Sequence, residues 1–185
     1  LWLFGTGEAM FIAAGLGVSP WTVLAQGISV QSGLSVGFST FVVSVSVLLL
    51  WIPLRELPGF GTLSNAVVIA VAIDTMTPLL MLPEGSVMRY LQLIAGVILI
   101  GVGSGLYLTA NLGPGPRDGL MTGLQRITGK PIGWVRAGLE VTVLCCGWLL
   151  GGTVGLGTVV FAIGVGYAVA LSLSLVKRFG SSASF

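Results

Sequence analysis

Ala110-Asn-Leu-Gly-Pro-Gly-Pro-Arg-Asp118 repeats, 96 positions later, the pattern of Ala14-Gly-Leu-Gly-Val-Ser-Pro-Trp-Thr22, and this pair of stretches decides the fold. The same offset, without a gap, pairs glycines and prolines along much of both halves. The matched pairs include Gly5 with Gly101, Gly17 with Gly113, Pro20 with Pro116, Gly33 with Gly129, and Gly59 with Gly155. Hydrophobic composition alone does not produce such a match, so we interpret the chain as an internal duplication.

The composition is typical of a membrane protein. Of 185 residues, 55% are hydrophobic and 8% are charged, and the mean hydropathy is +1.04. A soluble domain carries about 25% charged residues, so this chain could not cover a globule with polar groups. We predict an integral membrane protein whose surrounding partner is the lipid bilayer. The net charge of +2 does not indicate nucleic-acid binding, because the few basic residues cluster at predicted helix ends.

Six segments are apolar enough, and about long enough, to cross a bilayer as helices, which takes roughly 17–25 residues. They are residues 1–17, 38–54, 62–82, 90–112, 133–150 and 154–176. Several boundaries coincide with prolines, which stop or start helices; these are Pro53, Pro58, Pro83 and Pro131. The chain begins with Leu1 and not with methionine, so we expect further residues before it. Since the first segment belongs to the repeat, we expect it to be retained.

Each repeat also contains a short segment that cannot span the membrane, residues 19–31 and 115–126. Both begin with helix-start chemistry, because Pro20 and Pro116 fit the first helical position. The helix-start motifs comprise Gly17, Pro20, Trp21, Gly113 and Pro116. Each short segment is either a re-entrant half-helix or a helix lying in the interface. Glycines spaced every four residues in the second copy favour burial against protein.

Three spans per repeat give the two halves opposite orientations. The predicted fold is therefore an all-α membrane protein with two inverted-topology repeats, residues 1–89 and 90–185. Basic residues mark the cytoplasmic side. One side would hold Arg55, Arg117, Arg126, Lys130, Lys177 and Arg178, and the other side Arg89. We therefore predict a multi-pass protein of the bacterial inner membrane with both termini in the cytoplasm.

Two motifs resemble the YczE-like branch of the YitT-type bacterial membrane proteins. They are Leu112-Gly-Pro-Gly-Pro-Arg-Asp-Gly-Leu-Met121 and Gly147-Trp-Leu-Leu-Gly-Gly-Thr-Val-Gly-Leu-Gly-Thr158. The likeness covers essentially the whole chain and implies a bacterial inner-membrane protein. It brings no substrate or reaction with it. In the family pattern an aspartate often follows Pro-Trp in the first motif, where this chain has Thr22. A function that needs an aspartate in both repeats is therefore not implied here.

Acidic residues inside the predicted spans are functional candidates, because charge in a bilayer costs about 2.5–3.5 kcal/mol at a helix centre. Glu8, Asp74 and Glu140 lie within predicted spans, and none has an acidic counterpart in the other repeat. Arg136 and Glu140 are four residues apart on one helical face. They form either an internal ion pair or a coupling and substrate site. Glu8 is either a protonated carboxyl that ties helices together or a ligand for a coupling ion or substrate.

The start of the second short helix supplies two further candidates, Arg117 and Asp118. Asp118 is either a plain helix cap, favoured by the positive helix end, or part of a site. In the functional alternative, free backbone N–H groups and Arg117 bind an anion at the helix N-terminus. We interpret Trp21 as an interfacial anchor in preference to a stacking platform.

The residue set indicates neither a metal site nor a cofactor. The chain has no histidine, and Cys145 and Cys146 are adjacent within an apolar run, where we interpret them as packing residues. Zinc sites need spaced cysteine or histidine ligands. Without an activated nucleophile or a metal set, we do not expect an enzyme.

The sequence favours a small secondary transporter that works by alternating access between the two halves. Paired short helices at a repeat interface are typical of substrate sites in such proteins. The expected substrate is an unknown small molecule, anionic or amphipathic, with proton coupling as one option. The alternatives are a channel and a membrane scaffold that assembles other proteins. Six helices leave little room for a large cavity in one chain, so a homodimer is also compatible with the sequence.

Overall fold

The computed structural model describes residues 1–80 and 85–180, and this part of the chain consists of helices joined by short loops, with no strand. Eight α-helices follow one another, together with one 3-10 turn at Thr77–Leu79. They are α1 Trp2–Ala14, α2 Pro20–Ser32, α3 Val36–Leu54, α4 Phe60–Met76, α5 Ser86–Thr109, α6 Pro116–Thr128, α7 Ile132–Leu149 and α8 Leu156–Gly180.

Five of the described helices are long and apolar enough to cross a membrane: α3, α4 with its 3-10 turn, α5, α7 and α8. The chain is thus a multi-pass membrane protein. The predicted first span, 1–17, is a helix of 13 residues that ends at Ala14, because Gly15 after it has a left-handed φ of 66°. The predicted third span, 62–82, leaves the α-helix at Met76, two residues before Pro78. Its last two residues and the boundary proline Pro83 lie outside the described residues, as do the final residues 181–185 of the predicted second repeat.

The remaining boundaries shift by a few residues from the predictions. The predicted span 90–112 is the helix α5, which begins at Ser86, four residues earlier. The predicted short helices 19–31 and 115–126 become 20–32 and 116–128, because the proline in each occupies the first turn and the preceding residue caps it. In α2 the Ser19 hydroxyl accepts the Thr22 N–H, which satisfies one of the free donors at the helix start.

Helix starts recur at the offset that the sequence showed. α2, α3 and α4 begin at residues 20, 36 and 60, and α6, α7 and α8 begin at 116, 132 and 156. A backbone contact between the halves recurs as well: Gly61 N donates to Leu112 O at 2.7 Å, and Gly157 N donates to Leu16 O at 2.7 Å. The two halves therefore share helix order, helix starts and a reciprocal contact.

The short helices are packed into the centre of the bundle. α2 packs on α7 and α3, while α6 packs on α3 and α7. α2 begins with buried residues, α6 begins with the buried Pro116, and the last residues of both helices are exposed, so each helix runs from the interior to the surface. Around them lies an apolar cluster that includes Trp21, Val47, Trp51 and Leu120. This packing places both helix N-termini inside the protein.

Candidate functional site: a charged cavity between the short helices

A cavity of about 200 Å³ lies where the N-terminal ends of α2 and α6 meet. Seven of the eight helices contribute to its wall. Its charged lining residues are Arg117, Asp118, Arg136 and Glu140, and its aromatic ones are Phe4, Trp21, Tyr107 and Phe161. Four of the six charged candidates from the sequence thus line one cavity, although they come from two different helices.

Arg117 is the electrostatic centre of this site. Its guanidinium carbon lies 5.4 Å from the centre of the Trp21 ring, a cation–π distance. The same charge interacts with Glu8, Asp118 and Glu140, which come from three helices. Trp21 is only 6% exposed, so the interpretation as an interfacial anchor was wrong. Its ring is a platform for Arg117 inside the protein.

Arg136 and Glu140 form the predicted ion pair on α7. Arg136 Nε donates to Glu140 Oε1 at 2.8 Å, and the two side chains are 57% and 28% exposed. Both side chains line the cavity. A pair with this much exposure contributes little to stability, about 0.3–0.5 kcal/mol for an exposed helical pair. The ion pair therefore leaves both groups available to a ligand at low cost.

Glu8 lies behind the wall of the cavity and is fully buried. Its Oε2 accepts hydrogen bonds from Ser19 Oγ, in the residue that caps α2, at 3.0 Å and from Thr22 Oγ1, in the first turn of α2, at 2.8 Å. Its Oε1 is buried without a hydrogen-bond partner among the described residues. Trp21 Nε1 is also buried without a partner, but an unpaired buried carboxylate oxygen is the more costly of the two because it can carry charge.

Asp118 occupies the third position of α6 and lies close to the backbone of Gly115 at the start of that helix. It also interacts with Arg117 and Arg136. The capping interpretation and the site interpretation are thus compatible, because the carboxylate faces both the helix start and the cavity. Tyr107 lines the cavity beside Asp118 and donates its hydroxyl to Gly113 O at 2.7 Å.

In the two halves the central carboxylate lies on helices that are not equivalent in the repeat. At the offset of 96, Glu8 corresponds to Ser104, and Thr22 corresponds to Asp118. In the first half the acid is on α1 and the hydroxyl is on the short helix α2. In the second half the hydroxyl is on α5 and the acid is on the short helix α6. The first half therefore has a central carboxylate although Thr22 stands in place of an aspartate, because Glu8 supplies it.

Asp74 belongs to a different part of the molecule. Its two carboxylate oxygens accept hydrogen bonds from Ser35 Oγ at 2.5 Å and from Gly37 N at 2.7 Å. These bonds attach the C-terminal part of α4 to the first turn of α3. The carboxylate also faces the positive end of α3, which stabilises it. Asp74 does not line the cavity.

Several lining residues were missed by the sequence analysis. Asn65, Ser104 and Tyr107 line the cavity, and Ser19 and Thr22 hold Glu8. The repeat gave a signal for two of them, because Ser104 is the repeat equivalent of Glu8 and Thr22 that of Asp118. Uncharged residues at positions equivalent to a charged one could therefore have been included.

The remaining motif residues have packing roles. Pro20 and Pro116 line the cavity as the first residues of α2 and α6. Gly17 and Gly113 have φ of 104° and 112°, which favours glycine. Each is in close contact with the residue that precedes α8 or α4, Gly155 or Gly59. Cys145 and Cys146, predicted to be packing residues, are exposed on α7. In the described ranges, no group of three or more potential metal ligands lies together.

Comparison with known proteins shows that a protein family covers nearly the whole chain, residues 1–173. The chain belongs to the family of unknown function DUF6198. A protein of Haemophilus influenzae described as uncharacterized is 43% identical over 176 residues, which are 95% of this chain and 81% of that protein. The uncharacterized membrane protein YczE of Bacillus subtilis is 38% identical over 162 residues, 85% of this chain and 74% of YczE.

A more distant similarity is to YyaS of Bacillus subtilis, also described as uncharacterized, at 26% identity over 182 residues. The resemblance to YczE-like proteins that the two motifs indicated is thus confirmed. No solved structure matches this member of DUF6198.

Proposed function

We propose that the protein is a small secondary transporter that works by alternating access between two inverted-topology halves, residues 1–89 and 90–185. In this proposal α1 contributes to the sixth span and the short helices α2 and α6 are re-entrant. The observation that carries the proposal is a cavity with four charged side chains at the meeting point of two buried helix N-termini. Charged side chains at short or broken helices of a repeat interface are typical of transporter substrate sites.

The recurrence of helix starts supports the two-fold arrangement. Helices α2, α3 and α4 have counterparts at the constant offset, and the contact from Gly61 to Leu112 is mirrored by the contact from Gly157 to Leu16. Helix pairs follow the same rule: α2 packs on α7 as α6 packs on α3, and α1 packs on α4 as α5 packs on α8. A pseudo-two-fold axis that exchanges the halves accounts for all of these pairs.

The pair α3–α4 departs most strongly from this rule and supports a gate. α3 packs on α4, whereas in the described part of the chain the equivalent helices α7 and α8 have no comparable packing. Gly37 of α3 is pressed against Ala70 and Asp74, but its equivalent, Gly133 of α7, has nothing within 4 Å. The cavity residues Arg136 and Phe161 lie on α7 and α8. In our proposal the gap between these helices is the entrance of the cavity in this state.

The positions of basic residues orient this state. Arg126 and Lys130 lie at the end of α6, next to the start of α7, and mark that side as cytoplasmic by the positive-inside rule. The entrance between α7 and α8 then faces the cytoplasm, with both termini on that side of the inner membrane. The Asp74 contact with Ser35 and Gly37 closes the opposite, outer side.

Alternating access can be tested without knowing the substrate. In a background with Cys145→Ala and Cys146→Ala, a Ser104→Cys variant places one thiol in the cavity wall. We expect a membrane-impermeant maleimide to label this thiol from the cytoplasmic side. We also expect Asp74→Ala to increase labelling from the outer side at the expense of labelling from the cytoplasmic side.

The same experiment separates the alternatives. A channel predicts simultaneous labelling from both sides, and a scaffold predicts labelling that Asp74→Ala does not change. A homodimer and the absence of enzymatic activity stay predictions. The first is checked by the mass of the protein in detergent, and the second by recovering a transported compound chemically unchanged.

A further inference from the structure

The side chains at the cavity do not balance in charge. Two guanidinium groups, Arg117 and Arg136, face three carboxylates, Glu8, Asp118 and Glu140. When all five groups are ionised, the described side chains of the site have one negative charge in excess. Glu140 is bonded to Arg136, and Arg117 serves both Glu8 and Asp118. Of the pair of carboxylates beside Arg117, Asp118 also interacts with Arg136, whereas Glu8 interacts, among the described charged groups, with Arg117 alone. The excess charge is therefore least compensated at Glu8.

Within that pair, Glu8 is the group that the protein leaves incomplete. It is fully buried, and its Oε1 has no partner among the described residues. A proton on this carboxyl removes the excess charge, because an unpaired neutral hydroxyl costs less in a protein interior than an unpaired anion. Glu8 is therefore the natural site for one proton while the cavity is empty.

When the entrance closes, the cavity with its side chains and occupants must have no net charge. If α7 approaches α8 as α3 approaches α4, the half-exposed Arg136 and Glu140 lose water together with the rest of the cavity. A net charge in such a site costs several kcal/mol. Two occupants can neutralise it: a proton on Glu8, or a monovalent cation in the cavity. With both present the site would have one positive charge in excess, so the two occupants exclude each other.

The walls of the cavity indicate which cation fits. The described lining combines the aromatic rings of Phe4, Trp21 and Phe161 with aliphatic side chains such as Ile69 and Val165. Aromatic faces attract organic cations, and a volume of about 200 Å³ limits the size. Asp118 and Glu140 supply the negative groups beside these walls.

We propose that this cavity binds a small monovalent organic cation with an apolar body and exchanges it for one proton on Glu8. This inference rests on the proposed transport function and specifies its substrate class and its coupling ion. The incoming cation pairs with Asp118, and the charge of Arg117 then compensates the carboxylate of Glu8. Glu8 releases its proton to water, so one proton leaves for each cation that enters. Total charge is conserved.

The groups that face Glu8 come from every side of the site. α2 contributes the hydroxyls of Ser19 and Thr22, and α6 contributes Arg117, with Asp118 beside it. Further away, α7 contributes Arg136 and Glu140, α5 contributes Tyr107 beside Asp118, and α4 contributes the uncharged Asn65. Apart from Glu8, none of these groups needs to change protonation for the exchange.

The test uses the purified protein in detergent and two probes of similar size, benzyltrimethylammonium and benzenesulfonate. Binding is measured by calorimetry across pH 5 to 8, in pairs of buffers that differ in ionisation enthalpy. We expect the cation to bind and to release about one proton at the acidic end. Its affinity should rise by up to tenfold per pH unit until Glu8 is ionised. Benzenesulfonate should not bind.

Glu8→Gln imitates the protonated state. It should weaken cation binding and remove its pH dependence, while Glu56→Gln, in the ion pair with Arg126 outside the cavity, should behave as the wild type. Proton release by the wild type needs no variant, so the inference stays testable if Glu8→Gln does not fold. It is overturned if no cation binds, if binding releases no proton, or if only the anion binds. Alternating labelling of Ser104→Cys would then still support transport, and its absence would overturn the proposed function separately.

Discussion

The helix pairs α3–α4 and α7–α8 occupy equivalent places in the two halves but differ in packing. In α3 and in α4 with its 3-10 turn, 39% of an 18-residue apolar stretch is buried, against 11% in α7 and in α8. On α3, Gly37 packs against Ala70 and Asp74 of α4, and the small hydroxyl residues Thr40 and Ser44 further along the helix are 4% and 9% exposed. At the equivalent positions α7 has Arg136 and Glu140. Removal of water from the contact surface therefore costs little free energy in α3–α4. It costs more in α7–α8, where an ion pair would lose its hydration.

The difference shows how two halves with the same backbone fold can differ in the free energy of closing their helix pairs. The backbone is repeated, so both pairs have the geometry to approach. The side chains set the cost of approach, because Thr40 and Ser44 lose little hydration while an ion pair loses much. Asp74 then holds the closed pair at its end, and its equivalent is Ala170. The halves therefore differ in the energy of closure.

The largest expected effect comes from changing the position of the central carboxylate in the first half, from α1 to α2. Thr22→Asp places a second buried carboxylate next to Glu8 and should cost several kcal/mol, in the range of about 3–5 for an uncompensated buried charge. The double variant Glu8→Ser with Thr22→Asp copies the arrangement of Ser104 and Asp118. It should recover most of that stability. Thermal unfolding in detergent measures both variants, and a double variant as unstable as Thr22→Asp would refute the equivalence of the halves.

A methyl group added at equivalent glycines should have opposite effects. Gly37→Ala forces Ala70 and Asp74 to move, and overpacking of this kind costs about 1–3 kcal/mol. Gly133→Ala meets no atom within 4 Å, and alanine is a better helix former by about 0.8–1.0 kcal/mol. The midpoint of thermal unfolding should fall for the first variant and rise slightly for the second. A fall in both would mean that α7 is packed in the membrane.

Removal of the Asp74 carboxylate should have an intermediate effect. Asp74→Ala loses the hydrogen bonds from Ser35 Oγ and Gly37 N, which lie at exposed and partly buried positions. Since the freed groups can bind water, the total loss should be about 1–2 kcal/mol. Ser35→Ala removes one of the two bonds and should destabilise less. Chemical denaturation ranks the two variants. If Ser35→Ala is the more damaging, the cap of α3, in which Ser35 Oγ accepts the Phe38 N–H, is more important than Asp74.

The smallest expected effect concerns the ion pair on the open side. Arg136→Gln should change the stability of the protein by no more than about 0.5 kcal/mol, because the pair is half-exposed. Ligand binding should respond far more strongly, since the variant leaves Glu140 without its partner. Calorimetry with the cationic probe and thermal unfolding, measured on the same sample, separate the two effects. A large loss of stability with unchanged binding would make the pair structural.

Much of the framework was predictable from local pattern. Pro20 and Pro116 mark helix starts, and the offset of 96 fixes their equivalence before any contact is known. The i,i+4 spacing of Arg136 and Glu140 predicts their pairing within one helix, which the structure has at 2.8 Å. The exact ends of the helices were less predictable, because left-handed residues such as Gly15 and the turn before Pro78 terminate helices without ending the hydrophobic run.

By itself, the sequence determined that the protein is a helical membrane protein with a duplicated pattern and very few charges. Those properties are read from composition and from spacing along the chain. Only the tertiary structure decided that Glu8 lies near enough to Arg117 to interact with it electrostatically, while Asp74 belongs to another part of the molecule. It also decided that α3 packs on α4 while α7 and α8 are apart. The reason is physical: these contacts join residues far apart in sequence, so they depend on how helices from both halves pack and on which polar groups that packing leaves without water.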